Sequence, residues 1–437
     1  MRRITNYTML PMLLLWAGNA NAALDIQTWE TDNGARVYFV ETRQLPMVQL
    51  SVGFDAGSAR DPQDKLGLAH LVNLMVEEGA ADLDGESIAL ALGSVGAQYS
   101  NENGRDMSVF ELRSLSDPDL LQPAARVFAK ILSAPTFPKA SLDRERQRLL
   151  IRLAQQQQSP RDVVTRAFYA NLFDGHPYAK PPDGDAEGVQ RIVRRDLTDF
   201  HRDYFVGANA VMALVGDLSR AEAEQLVQQV VGGLPRGRAA EKVAAVPELN
   251  GGALVDIQFP SNQSHLLMGQ PGVSRHDPDY FPLYVGNHIL GGSGLISRLS
   301  VAIREERGLA YSVYSYFLPM RDRGPFIIGL QTRNDQTSLA ERLARETVAS
   351  FVAEGPSAEE LEAAKKNITG GFPLLIDSNR KIAGNLLNMA FYGLPLDYLE
   401  TYSDRIDAVT AEQIRDAFRR RVDPERLVRV VVGGSNG

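Results

Sequence analysis

The sequence contains no cysteine. Thiolate catalysis, disulfide bonds and cysteine-ligated metals are therefore excluded, and the chain does not show whether its compartment is oxidising. Histidine is also scarce, with 6 in 437 residues, so a metal centre has few imidazole ligands to draw on. Beyond residue 22, no segment approaches the roughly 18 uninterrupted apolar residues of a membrane-spanning helix. We therefore expect no stable membrane span.

The first 22 residues differ from the rest of the chain. Arg2 and Arg3 form a basic start, Met9–Gly18 is a short apolar run, and Ala20-Asn21-Ala22 fits a small-residue cleavage site. This pattern predicts a secretory signal peptide that is removed after Ala22, with a buried N-terminal helix as the alternative. A bacterial periplasmic location is the simplest expectation.

Basic residues are fewer than acidic ones. The chain has 46 Lys and Arg against 54 Asp and Glu, a formal net charge of −8. Removal of residues 1–22 takes away two arginines and no acid, which leaves 44 basic residues and a net charge of −10. This balance argues against nucleic acid as a partner.

Two segments about half the chain apart share an element order. Residues 196–217 and 410–433 both read as a polar-capped helix, a short turn and an apolar strand that ends in glycine. Residues 410–413, Thr-Ala-Glu-Gln, also form a candidate capping box. We therefore predict two similar halves, a first domain over 23–233 and a second over 251–437. Residues 234–250 carry Pro, Gly and charge without periodicity, as is typical of a linker.

Strand and helix patterns alternate in both halves. This mixture predicts an α+β fold in which each half has a sheet with helices packed on one face. The predicted strands are Arg36–Glu41, Met47–Asp55, Ala253–Phe259 and His265–Gln270, and the predicted helices are Leu120–Leu132, Lys139–Gln158, Asp277–Leu290, Ser338–Glu354 and Pro356–Thr369.

Residues 67–80 have the form of a metal-binding helix that lacks most of its ligands. A His-x-x-Glu-His segment directs two imidazoles at one zinc ion and holds the glutamate beside it as a general base. Here the same frame reads His70, Asn73 and Leu74. A catalytic zinc needs three protein ligands, so these residues alone favour a structural histidine on an apolar helix.

The remaining histidines do not supply a metal site. None has a second His or a Glu at helical ligand spacing, and we expect all of them to be unliganded. We expect His201 to be solvated on a polar helix and His176 to lie in a loop. The set comprises His176, His201, His265, His276 and His288.

The sequence resembles the pitrilysin-type peptidases, the inverted zincins, over essentially the whole chain after residue 22. The segments that carry the resemblance are Val48–Ser58, Gly67–His70, Gly175–Tyr178, Val215–Asp217, Gly291–Leu299 and Ile303–Val313. The resemblance implies two homologous domains that face each other across a peptide-sized chamber. It also implies a glutamate as third zinc ligand, and alignment on Glu145 and Arg146 places Arg152 at that position. The base, the second histidine and the carboxylate of the family are all replaced here.

The second half keeps a different part of the resemblance. Arg304 and Tyr311 match a pair that, in this family, reaches across the chamber to bind substrate and stabilise the oxyanion. A fixed cation and a phenol donor suit that task. The helix with Arg304 should end at Gly308, and a strand should follow over Tyr311–Leu318. The alternative is a surface arginine beside a half-buried tyrosine.

Some members of this family divide these roles between two subunits. The resemblance therefore implies the non-zinc subunit of an exported heterodimeric zinc peptidase that cuts peptides. This chain would hold no metal, and zinc would lie in a homologous partner. Two alternatives remain: a non-catalytic peptide-binding or structural subunit, like the core subunits of this family in respiratory membranes, and an active homodimer with a displaced zinc. The missing ligands argue against the last.

Overall fold

The computed structural model of the chain describes residues 24–249 and 251–434. The predicted signal peptide, residues 1–22, lies outside the described residues. Within them, two large sheets carry helices on both faces. No helix in this part of the chain is long and apolar enough to cross a membrane.

The elements follow one another along the chain in a similar order in each half. The strands are β1 (Ile26–Glu30), β2 (Arg36–Glu41), β3 (Met47–Phe54), β4 (Gly79–Ala80), β5 (Leu83–Asp84), β6 (Gln98–Asn103), β7 (Ser108–Leu115), β8 (Ala210–Gly216), β9 (Leu254–Gln258), β10 (Gln263–Pro271), β11 (Ala310–Phe317), β12 (Pro325–Arg333) and β13 (Val428–Gly433). The α-helices are α1 (Leu68–Met75), α2 (Gly85–Ser94), α3 (Pro118–Ser133), α4 (Lys139–Gln156), α5 (Pro160–Leu172), α6 (Ala186–Arg191), α7 (Arg194–Tyr204), α8 (Arg220–Val231), α9 (Tyr280–Asn287), α10 (Arg298–Ser300), α11 (Thr337–Glu354), α12 (Ala358–Gly371), α13 (Asn379–Tyr392), α14 (Tyr402–Asp407) and α15 (Ala411–Arg421).

The two sheets have the same strand order. The first runs β1-β2-β8-β3-β7-β6 and the second runs β9-β13-β10-β12-β11, so the second matches the first without β1. Strand β8 pairs parallel with β2 and antiparallel with β3, and β13 pairs parallel with β9 and antiparallel with β10. The repeated segments of the sequence are α7 with β8 and α15 with β13. The prediction of two similar α+β halves is confirmed.

Local signals account for many element boundaries. The Thr410 side chain accepts a hydrogen bond from the backbone N–H of Gln413, whose side chain accepts from the Thr410 N–H, so the predicted capping box begins α15. Strand β2 has the predicted bounds. The helix predicted over Asp277–Leu290 differs, because α9 starts at Tyr280 and passes into a π-helical turn, His288–Gly292.

One helix of each half packs on the sheet of the other half. Helix α5 lies against β10 and β13, and α13 lies against β3 and β8. Phe168 of α5 is buried with Val430, and Leu386 of α13 is buried with Ala213. Each sheet therefore has its own helices on one face and the exchanged helix on the other. Burial on both faces explains why β8 is an uninterrupted apolar run rather than an alternating one.

A buried carboxylate also joins the halves. Asp106 is 6% exposed, and it accepts hydrogen bonds from the hydroxyl of Tyr178 at 2.8 Å, the hydroxyl of Tyr392 at 3.1 Å and the backbone N–H of Arg321 at 2.9 Å. A buried carboxylate is tolerated when donors surround it in this way. Because two of the donors come from the second half, this cluster holds the two halves together.

Candidate functional site

Helix α1 carries the motif residues and begins at an unusual cap. Gly67 has φ of +99°, in the left-handed region, and offers no side-chain cap. The carboxylate of the buried Asp61 accepts hydrogen bonds from the N–H groups of Gly67 and Ala69, both at 2.7 Å. Burial raises the pKa of Asp61 to about 7, against the lowering effect of those two bonds and of Lys180. Two of the free N–H groups at the start of the helix are thus satisfied from an upstream loop.

The three motif positions on α1 face different surroundings. Asn73 is 2% exposed, and its amide donates to the backbone oxygen of Glu102 on the edge strand β6 at 3.2 Å. The backbone oxygen of Asn73 in turn accepts from the amide of Asn101 at 3.0 Å. His70 and Leu74 are partly buried. Asn73 therefore ties α1 to β6, and its amide has no basicity with which to replace the glutamate of the motif.

Arg152 lies beside His70. Helix α4 packs against α1, and the Arg152 Nη1 atom is 3.5 Å from the His70 Nε2 atom. Burial and, to a smaller extent, the charge of Arg152 lower the pKa of His70 to about 4, against the raising effect of Asp183. The imidazole of His70 is consequently neutral at neutral pH. Its Nε2 atom faces the Arg152 guanidinium, whereas in a zinc site a ring nitrogen would face the metal ion.

The side chains at this place do not fit zinc. An amide nitrogen turned to a carbonyl, an aliphatic chain and a guanidinium replace the base and two ligands, and a guanidinium only donates. Across residues 24–249 and 251–434, no group of three His, Cys, Asp or Glu side chains is placed to hold a metal ion.

One of the other histidines differs from expectation. His201 was expected to be solvated, but its ring stacks on Phe205 at 4.6 Å and its Nε2 atom is 2.9 Å from the backbone oxygen of Leu132. Burial lowers the pKa of His201 to about 4. His176 precedes a short 3-10 turn and is also buried, with its Nδ1 atom accepting from the N–H of Tyr178.

Arg304 lies in a π-helical turn, Val301–Glu305, that continues α10. Three residues after this turn, Gly308 has φ of +62°, and its N–H donates to the backbone oxygen of Arg304 at 2.9 Å. The N–H of Leu309 donates to the oxygen of Ile303, also at 2.9 Å. The first of these bonds is the single closing bond typical of a helix that ends in a left-handed glycine. The two bonds together fix the turn that carries the Arg304 side chain.

Tyr311 stands at an irregularity in the edge strand β11. The register with β12 shifts between Ala310 and Ser312, so Tyr311 is the extra residue of a bulge, and its side chain is 83% exposed. The Arg304 guanidinium carbon lies 5.1 Å from the centre of the Tyr311 ring, within cation–π range. The structure therefore brings this pair together and presents the phenol to the outside of the chain.

The two groups of motif residues are not joined to each other. His70 and Arg152 belong to α1 and α4 in the first half, while Arg304 and Tyr311 flank the second sheet. Among the described residues, no hydrogen bond, ion pair or ring contact connects the two groups. A reaction that needs both a metal centre and the Arg304–Tyr311 pair cannot be assembled from these side chains alone.

Sequence reasoning missed a cavity of about 500 Å³ between α5 and the second sheet. Tyr314 and Tyr316 of β11 line it, together with Arg161 of α5. The alternating tyrosines of residues 310–317 could have shown that two of them share a face. The arginine could not have been found, because it reaches the cavity through the exchanged helix.

Known proteins similar to the chain share this arrangement of halves. Residues 36–184 match the family Insulinase (Peptidase family M16), and residues 191–368 match the family Peptidase M16 inactive domain. The crystal structure of a peptidase M16 inactive domain from Pseudomonas fluorescens is 40% identical, covers 94% of this chain and 98% of that one, and has a TM-score of 0.91.

Two sequence relatives extend over nearly the same length. An uncharacterized zinc protease of Mycobacterium leprae is 29% identical over 90% of this chain and 89% of its own. The non-peptidase homolog YmxG of Helicobacter pylori is 25% identical over 91% of both chains. These names include both a protease and a non-peptidase. The likeness therefore leaves catalytic activity open, and the side chains at the motif positions of this chain bear on it directly.

Proposed function

The chain belongs to the M16 peptidase family with an inactive form of its zinc motif, and on that premise we propose that it is the non-zinc subunit of an exported heterodimeric zinc metallopeptidase. Its partner would be a homologous subunit with an intact His-x-x-Glu-His segment. The observation that carries the proposal is the exposed Arg304–Tyr311 pair in a chain whose zinc motif lacks its base and two of its ligands. The signal-like residues 1–22 support export to the periplasm.

In such a pair, this chain contributes to transition-state stabilisation. A zinc ion held by the partner would supply activation of the attacking water. The Tyr311 hydroxyl donates a hydrogen bond to the oxygen on which negative charge develops, and Arg304 holds the peptide through its guanidinium. The bulge turns the phenol outward, so it can meet a peptide held against another subunit.

Irregular backbone around the pair supports a functional role. The π-helical turn at Arg304 and the bulge at Tyr311 are both features that occur frequently at functional sites. A tyrosine that only packed on a half-buried strand would not be 83% exposed. The alternative without a function, a surface arginine beside a half-buried tyrosine, does not account for this exposure.

A second candidate is a peptide-binding or structural subunit without a catalytic role. The hydrogen bonds of Asn73 and the Asp61 cap favour it, because they tie α1 to its neighbours as a structural helix. The non-peptidase name of the Helicobacter pylori relative agrees with this candidate. The two candidates share the absence of zinc and differ in whether Tyr311 matters for turnover.

Co-purification with a homologous zinc subunit tests the proposal. We expect no stoichiometric zinc and no peptide cleavage for this chain alone, and one zinc per heterodimer with cleavage for the pair. Zinc by elemental analysis and cleavage of a quenched fluorescent peptide are the measurements. Tight binding of one zinc per chain that is lost in His70→Ala would contradict the proposal. If the zinc-bearing partner cleaves the peptide equally well without this chain, only the structural candidate remains.

A further inference from the structure

The cavity between α5 and the second sheet has the size of a ligand site. Its volume is about 500 Å³, within the roughly 300–1,000 Å³ of small-molecule pockets. One wall comes from α5 of the first half, and the others come from β10, β11 and β12. The lining residues are Arg161, Val164, Thr165, Tyr169, His265, Leu266, Leu267, Ser312, Tyr314, Tyr316, Ile327, Leu330 and Gln331.

The lining is complementary to an anion. It contains the guanidinium of Arg161 and several hydroxyl donors but no carboxylate, in a chain whose formal net charge is −8. The charge of Arg161 adds to burial in lowering the pKa of His265, and it opposes the rise in pKa that burial gives Tyr314 and Tyr316. Arg161 lines the same cavity as these three side chains of the second half.

The two tyrosines are held in place. Their rings stack at 5.9 Å with an angle of 17° between the planes. A β-carbon at Gly329 would collide with the ring of Tyr314, so the absence of a side chain there lets the ring lie across β12. Tyr314 and Tyr316 are 39% and 38% exposed, which leaves part of each side chain open to the cavity.

A second cation lies behind the cavity wall. The guanidinium carbon of Arg105 is 3.6 Å from the ring centre of Tyr169, and its Nε donates to the backbone oxygen of Tyr178 at 3.0 Å. This contact orients Tyr169 and adds positive charge on the same side. Buried Leu267 and Ile327 supply an apolar surface on the side of the sheet.

We propose that this cavity binds the C-terminal residue of a peptide, with Arg161 and the hydroxyls of Tyr314 and Tyr316 on the carboxylate and the aliphatic wall on a large apolar side chain. The choice of a peptide as the carrier of the carboxylate rests on the proposed function. Strand β11 supports that choice, because it carries both Tyr311 and the two tyrosines of the cavity. A peptide end seated there lies along the strand that presents the oxyanion donor.

Binding of two matched peptides tests this site in the purified chain alone. The probes are a fluorescein-labelled hexapeptide that ends in phenylalanine, as the free acid and as the C-terminal amide, measured by fluorescence anisotropy. We expect the free acid to bind on the order of tenfold more tightly, because a charge-assisted contact is lost in the amide. Arg161→Gln should remove this preference by weakening only the free acid. Arg126→Gln, which changes an exposed arginine on α3, should preserve it.

Three results would overturn the site. They are equal affinity for the acid and the amide, a preference that survives in Arg161→Gln, and no binding of the free acid at millimolar concentration. None of them bears on the peptidase proposal, which depends on turnover in the heterodimer and on Tyr311. Conversely, an acid preference that needs Arg161 would stand even if no zinc-bearing partner restored cleavage.

Discussion

The two halves use one sheet order but finish their edge strands differently. In the first half, β6 pairs with β7 in an unbroken register and alternates between exposed and partly buried residues. In the second half, β11 carries a bulge at Tyr311, and two π-helical turns, His288–Gly292 and Val301–Glu305, precede it. The two π-helical turns and this bulge thus all lie in the half that keeps the Arg304–Tyr311 pair.

The same comparison explains Asn73. In the second half, Asn287 at the end of α9 donates to the backbone oxygen of Ser315 on β11 at 2.9 Å, and the Ser315 hydroxyl donates back to its side-chain oxygen at 2.7 Å. In the first half, Asn73 of α1 donates to the backbone oxygen of Glu102 on β6. An asparagine thus holds the edge strand to a helix in both halves. Asn73 has a structural role that owes nothing to zinc.

Among the changes that distinguish the roles of the two halves, we expect the largest effect, a loss of kcat, at Tyr311. In the heterodimer, Tyr311→Phe removes one hydroxyl and keeps the ring, so assembly and zinc content should not change. Loss of an oxyanion donor typically lowers kcat by roughly 10²–10³. Arg304→Ala should also raise KM if the guanidinium holds the peptide in the ground state. Steady-state kinetics on the reconstituted pair measures both.

A matched change in the first half is the control. Tyr38→Phe on β2 removes a hydroxyl from a half-buried tyrosine that has no place in the proposed site, and it should leave kcat unchanged. Wild-type kcat in Tyr311→Phe, with Arg304→Ala equally harmless, would reduce the second half to a structural role like that of the first.

The next largest effect concerns the joint between the halves. Asp106→Ala leaves the hydroxyls of Tyr178 and Tyr392 and one backbone N–H without their buried acceptor, which should cost about 2–4 kcal/mol of unfolding free energy. Asp82→Ala removes an exposed partner of Lys130 and should cost far less, because an ion pair in water contributes little to stability. Urea unfolding measures both. Equal costs would mean that Asp106 does not join the halves.

The sequence predicts some of this fold and misses other parts for physical reasons. Strand periodicity located β2, and the glycine stop at Gly308 was correct because both signals depend on a few neighbouring residues. The exchange of α5 and α13 has no local signal, since it depends on which sheet face each helix covers. The prediction that His201 is solvated was wrong for the same reason. Its ring packs against Phe205, a contact that the polar sequence of the helix does not indicate.

The candidate site residues also divide into those with a local sequence signal and those that only tertiary packing brings together. Arg304 and Tyr311 could be found because the residues around them resemble a known block. Arg161 could not, because it meets Tyr314 and Tyr316 only after α5 has crossed to the second sheet. The bulge that exposes Tyr311 was also not foreseen, since β11 has no glycine or proline to mark it.

A smaller effect is expected in acid. Burial lowers the pKa of His70 and of His201, both in the first half, to about 4, from 6.5 in an unfolded chain. The folded state then binds fewer protons between these values, so stability is complete above pH 6.5 and falls as the pH drops toward 4. Each histidine should account for a loss on the order of 2 kcal/mol between pH 7 and pH 5.

His201→Gln tests this, because glutamine can keep the hydrogen bond to the Leu132 oxygen but does not titrate in this range. We expect the variant to lose less stability than the wild type between pH 7 and pH 5, by urea unfolding at each pH. His276→Gln, at an exposed position in the second half, should follow the wild type. Equal pH slopes for His201→Gln and the wild type would show that burial of this ring does not control acid sensitivity.

The smallest expected effect is from restoring only part of the zinc motif. In the double variant Asn73→Glu and Leu74→His, two imidazoles and a base would stand on α1, but we expect neither stoichiometric zinc nor peptide cleavage. Zinc binds histidine nitrogen at roughly 2.0–2.1 Å, and the Arg152 Nη1 atom is only 3.5 Å from the His70 Nε2 atom. Two unit charges 4 Å apart repel by about 4 kcal/mol at an effective dielectric constant near 20, and zinc carries two.

The new glutamate would also face an unfavourable neighbour, because the amide of Asn73 donates to the backbone oxygen of Glu102 and a carboxylate there could only accept. Zinc content after dialysis and cleavage of a fluorescent peptide give the result. The triple variant that adds Arg152→Glu is the matched comparison, since it replaces the repelling cation with a ligand, and it should be the first to retain zinc. Zinc-dependent turnover by the double variant alone would mean that a residue other than the one at position 152 completes the site, and the first half would then be closer to a peptidase than its side chains indicate.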